Sequence, residues 1–96
     1  MNIEIAPTMI AANWDDARLY CFSLNVDGKT GWRLPTRLEL LEIYQSGRYV
    51  RLDDWCWSAT EYNDVGAWVK LFGNGRDDVR LKETSHGLVM AVRDLV

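Results

Sequence analysis

Any chemistry in this chain of 96 residues must come from a few side chains: two thiols (Cys21 and Cys56), one imidazole (His86), and two acidic loops, residues 61–64 (EYND) and 73–78 (GNGRDD). Paired thiols can do redox work or hold a soft metal, but the chain contains no C-x-x-C and no Cys/His ligand spacing. His86 could serve as a base, yet no nucleophile stands at a motif spacing from it, and it reads as a loop residue. Glu61, Asp64, Asp77 and Asp78 could offer oxygens to calcium, which needs about six to eight of them with several carboxylates converging. The plainer reading of both loops is a solvated hairpin turn. No catalytic residue, no metal site and no cofactor is therefore assigned.

Binding chemistry has more to draw on. Tyr44, Tyr49, Arg51, Trp55, Tyr62, Asn63 and Trp68 lie in and around the segment between the helical part of the chain and its strands. Aromatic rings with Arg and Asn are the usual material of binding hot spots. Tyr49, Arg51, Trp55, Tyr62 and Asn63 are assigned to a ligand- or partner-binding surface. The competing use is the core. A chain of this length buries only about two thirds of its unfolded surface. Five Trp, four Tyr and two Phe make that burial efficient, at roughly 150–250 Å² per ring.

These side chains must be positioned by a small set of elements. Residues 3–5 form a short strand that ends near Pro7. Asn13 is an N-cap, followed by Asp15 and Asp16 in the first turn, where the helix dipole favours negative charge. Trp14, Ala17, Cys21 and Leu24 recur at helical spacing, with Tyr20 beside them, and predict an amphipathic helix closed by the VDGKTG loop. Thr36 and Glu39 form T-x-x-E, a capping box that opens a second helix through LELLEIY. Pro35 makes the chain arrive extended at that cap. Leu40, Leu41 and Tyr44 are expected on the buried side. Beyond residue 50 the period falls to two: DDWCWSAT, GAWVKLF, DVRLK and GLVMAVR read as strands, GAWVKLF alternating Trp68, Lys70 and Phe72 against Ala67, Val69 and Leu71 with one partly wet face. The Asn-Gly pair at 74–75 is the strongest hairpin signal. The fold class is α+β, in one domain over 1–96, with helices packed on an antiparallel sheet.

The net charge of −3 is mild and the basic residues are scattered. A nucleic-acid partner is not expected. No apolar run approaches the roughly 20 residues of a membrane span. The N-terminal residues do not read as a signal peptide, so a cytoplasmic, reducing location with free thiols is expected.

The combination W-x-x-A-x-x-Y-C (14–21), GWRLPT with EL (31–40), WSAT (57–60), AW (67–68) and a closing V-x-x-V-R (89–93) resembles the Lcl C-terminal domain family. That resemblance implies a C-type-lectin-like fold, two helices on a twisted antiparallel sheet with long loops. The fold is similar to that of formylglycine-generating enzymes and of retroelement variable proteins. It gives Trp14, Trp32, Arg33, Pro35, Thr36, Trp57, Trp68 and Arg93 fold-defining places. Arg33 is expected on loop carbonyls or on an acid such as Glu39, and Ser58 and Thr60 on loop backbone. Secreted relatives carry a cysteine in the last strand matched to the one on the first helix. Here that strand reads V-M-A-V-R, so Cys21 is expected to be a small buried hydrophobe. The lectin motifs E-P-N and W-N-D are absent, and neither thiol resembles the copper-holding pair of the oxidases. The expected function is a non-enzymatic recognition module for a protein or small ligand, of phage or prophage type. The alternative is a homo-oligomeric structural or virion component, and a metal-dependent oxidase ranks last.

Overall fold

The computed structural model describes residues 2–47 and 54–95. Its elements run β1 (Ile3–Ile5), β2 (Ile10–Ala12), α1 (Trp14–Ser23), α2 (Arg37–Gln45), β3 (Trp55–Glu61), β4 (Gly66–Leu71), β5 (Asp77–Leu81), β6 (Gly87–Val89) and β7 (Val92–Asp94). Both helix starts follow from local chemistry. The Asn13 side chain accepts the Asp16 N–H at 2.9 Å. Thr36 Oγ1 accepts the Glu39 N–H at 3.2 Å while Glu39 Oε1 accepts the Thr36 N–H at 2.8 Å, a complete capping box. Neither described helix is long and apolar enough to cross a membrane.

Five strands form one sheet in the order β2-β6-β3-β4-β5. Its pairs are antiparallel except β3 with β6, where Cys56 lies opposite Leu88 in parallel. The sheet is therefore mixed, not wholly antiparallel as expected. β1 and β7 make a separate two-stranded ribbon, and residue 33 bridges to Val92 on that ribbon.

Three expectations need correction. The last strand is two: Met90 and Ala91 are fully buried between β6 and β7, and the chain changes sheet there. β2 was not foreseen, because three residues carry no alternation. In α2 the fully buried partner of Leu40 is Ile43, and Leu41 points outward at 36% exposure.

The two helices lie on opposite faces of the sheet. Toward α1 point Trp55, Trp57, Ala67, Val69, Leu71 and Val89, packed with Trp14, Ala17 and Cys21. Toward α2 point Cys56, Phe72 and Leu88, packed with Leu40 and Ile43. Alternation along β3 and β4 places Ser58, Trp68 and Lys70 on that second face as well. Gly87 lets β6 pass under a tryptophan, since a Cβ there would sit 2.1 Å from the Trp55 ring. Two helices covering opposite faces of a mixed sheet is an α+β, C-type-lectin-like arrangement.

Candidate functional site

The corner at residues 31–36 is built by backbone pairing and one arginine. The Arg33 N–H donates to Val92 O at 2.7 Å, and the Val92 N–H donates back to Arg33 O at 2.8 Å. The Arg33 guanidinium grips Glu39 with two bonds of 2.7 and 2.8 Å, and reaches Asp94 at 2.8 Å and Leu34 O at 3.2 Å. The Arg33 fork holds the Glu39 carboxyl below the usual carboxylate range, with the Thr36 N–H helping against partial burial. Trp32 donates its indole N–H to Lys29 O at 2.9 Å and lies beneath the Arg93 guanidinium. Pro35 is fully buried, and its carbonyl accepts the Ala59 N–H at 2.7 Å. With its backbone so anchored, the corner presents Trp32, Arg33 and Leu34 to the side of α1.

There they meet a second stripe of that helix. Trp14, Ala17 and Cys21 face the core. Asp15, Arg18, Leu19 and Phe22 recur at helical spacing on another side. Leu19 is 64% exposed and Phe22 85% exposed. Between this stripe and the corner runs a groove of about 540 Å³, lined also by Ala59. Arg18 lies over the Trp14 ring at 4.8 Å, and among the described residues neither Arg18 nor Asp15 joins a salt bridge. A second groove of about 550 Å³ shares Asp15 and is lined by Asp64, Val65, Leu81, Lys82, Glu83 and Thr84.

The aromatic surface expected from sequence does not form as one patch. Tyr49 and Arg51 lie outside the described residues. Trp55 faces α1, edge-on to Trp57 with ring centroids 5.1 Å apart and with Arg80 over it at 5.5 Å. Tyr62 belongs to the other face, edge-on to Trp68 at 5.6 Å, where Arg37 stacks on Trp68 at 3.8 Å. Asn63 shapes a turn, its side-chain oxygen accepting the N–H groups of Val65 and Gly66 at 3.0 and 2.8 Å. Tyr44 meets Phe72 edge-on.

The other candidate groups are occupied or apart. Cys21 is buried on the α1 side, which pushes its thiol up to about 11. Cys56 is buried on the α2 side, and desolvation with the nearby Asp54 charge pushes it up to about 12. The two thiols are separated by the sheet, so they cannot act as a pair, and neither is readily ionised. Asp77 is bound by Lys70 and Arg37, Asp78 by Arg80, and Glu61 by Lys82. Among the described residues no three His, Cys, Asp or Glu gather closely enough to hold a metal ion. His86 is exposed in the turn before β6.

The outer stripe of α1 was missed in the sequence because one apolar face already explained the helix. Its signal was present: Leu19 and Phe22, three apart, lie outside the Trp14–Ala17–Cys21 face.

No curated protein matches the chain. Residues 3–93 match the sequence model of the Lcl C-terminal domain. The matched span runs from β1 into β7 and takes in both helices, the corner and the whole sheet, so the chain belongs to the Lcl C-terminal domain family.

Proposed function

We propose that this domain is a non-enzymatic recognition module that engages a protein through the outer side of α1 and the adjoining corner. One observation carries the reading: Phe22, 85% exposed, and Leu19, 64% exposed, stand beside a groove that Trp32 and Leu34 line. Folding makes little use of either side chain, and Phe is a weaker helix former than the polar residues common on solvent-facing positions. An exposed apolar pair beside an aromatic-lined groove, with an arginine on its rim, has the make-up of an interface centre. Buried, unbridged thiols fit a reducing cytoplasm.

The test is site-specific photo-crosslinking in the producing cell. A benzoylphenylalanine at position 22 is expected to give a discrete protein adduct, while the same residue at exposed position 42 on α2 gives none. No adduct at 22, or the same adducts at both positions, would overturn the reading.

A further inference from the structure

The same face carries both halves of a self-complementary contact, and we infer that its occupant is a second copy of this chain, related by a two-fold axis. This rests on the reading of α1 as the binding face. An isologous interface requires one patch to hold both a projecting group and its receptor. Phe22 is the projection and the groove bounded by Trp32 and Leu34 is the receptor, so each copy's Phe22 enters the other's groove. The rim is self-complementary in charge too. Asp15 and Arg18 sit one turn apart on the groove and make no salt bridge to each other or elsewhere among the described residues. The two-fold axis gives each its partner: Asp15 of one protomer meets Arg18 of the other, twice over.

A stable interface takes about 800 Å² from each partner, roughly one seventh of the 5783 Å² surface. Phe22 and Leu19 supply on the order of 300 Å² of that per copy; Trp32 and Leu34 are themselves buried and add little, so the remainder falls to the exposed residues around the pair, among them Asp15, Asp16, Arg18 and Ser23. One alternative site for self-association, the free edge of β5, is closed by its own side chains. Asp78 accepts the Val79 N–H at 2.8 Å, Arg80 donates to Val79 O at 3.4 Å, Asp78 and Arg80 pair with each other, and Leu81 O accepts the Ser85 N–H at 3.1 Å. An edge so capped offers little to strand addition.

The experiment is sedimentation velocity on the full chain across a concentration series, with a charge swap. Wild type is expected to rise toward twice the monomer mass. Asp15→Lys alone and Arg18→Glu alone each place like charges opposite one another, and each weakens dimerisation by about tenfold or more. Mixed in equal amounts, the two variants restore it, because the Asp15→Lys copy and the Arg18→Glu copy then set opposite charges against each other at both contacts. Phe22→Glu abolishes it. All three positions are exposed, and circular dichroism checks that each variant is folded. A monomer at every concentration overturns the inference, as does a dimer indifferent to the three variants or a mixture that fails to recover. A monomer that still yields a discrete crosslink of another mass at position 22 overturns the dimer and leaves the recognition reading standing. A dimer whose position 22 crosslinks only to itself supports the inference and narrows recognition to self.

Discussion

The two faces of the central sheet are held by different means. On the α1 face the packing is mainly apolar, its cations lie over tryptophan rings at the margin (Arg18 and Lys82 on Trp14, Arg80 on Trp55), and the buried indole N–H groups have backbone partners far along the chain. Trp14 donates to Ser58 O and Trp57 to Ala12 O, both at 2.9 Å. On the α2 face the sheet buries charge. Lys70 is 3% exposed, donates to Gly75 O at 3.1 Å and pairs with Asp77 at 2.7 Å. The other oxygen of Asp77 takes Arg37 at 2.8 Å, and Arg37 in turn lies on Trp68. Ser58, fully buried, donates to Trp68 O at 2.7 Å. Both faces are covered, but one is closed by area and the other by a chain of paired groups in which each charge depends on the next. Truncation should therefore be costliest on the first face, and removal of a single charge costliest on the second.

The largest effect is expected at Trp57. Trp57→Ala empties a fully buried site and orphans Ala12 O, at a cost of about 3–5 kcal/mol. Against a typical total of about 5–15 kcal/mol this is a large fraction of the stability, read as a large drop in the urea midpoint. Trp68→Ala, on a half-buried ring of the other face, should cost about 1–2 kcal/mol. Equal losses from the two variants would break the comparison.

The second expectation separates the two ends of the buried ion pair. Asp77→Asn removes the charge that balances the Lys70 ammonium and leaves it, among the described residues, neutral oxygens such as Gly75 O and the Tyr44 ring. It should cost about 2–3 kcal/mol, below the range for wholly buried pairs because Asp77 is partly wet. Lys70→Met leaves Asp77 with Arg37 and places an apolar chain in an apolar slot, costing about 1 kcal/mol or less. Chemical denaturation of both variants checks the order. If Lys70→Met proved the worse, the ammonium would be holding the hairpin through Gly75 rather than being held by Asp77.

What the sequence showed and what it hid divide along the same line. The caps at Asn13 and Thr36 were legible because they are local, set by residues three apart. Arg33 on Glu39, six residues apart, was one of the two outcomes that the family resemblance implied, as were the core places of Trp32 and Trp57, while the burial of Trp14 followed from helical spacing. The burial of Lys70 was not legible, because alternation along 67–72 cannot show that α2 and Asp77 lie over it. β2 exists because β6 offers it a partner, with Trp57 bonded to Ala12 O, and neither is near it in sequence. The expected surface of Trp55 and Tyr62 divided because the two stand an odd number of positions apart, and alternation along the extended chain puts them on opposite faces. The Leu19–Phe22 stripe becomes visible only once the WRLP corner lies beside it.

That corner fastens the two faces. Trp32 and Leu34 pack into the α1-side core, while Arg33 between them holds Glu39 of α2 and Asp94 of β7. Glu39→Gln isolates the charge from the cap, since glutamine can still accept the Thr36 N–H. The loss should be about 0.5–1 kcal/mol near neutral pH, discounted because Arg33 is partly exposed. Its pH dependence carries the sign. The folded carboxyl titrates below its unfolded value of 4.5, so its contribution is complete above that value and disappears as pH falls through the folded one. The difference between wild type and Glu39→Gln should therefore be flat at higher pH and close progressively in acid, measured as urea midpoints across the range. A difference that persisted unchanged into strong acid would mean that Glu39 acts through its shape in the cap and not through Arg33. The corner would then hold the two faces through its backbone pair with Val92 and the Arg33–Asp94 contact, with no contribution from the Glu39 charge.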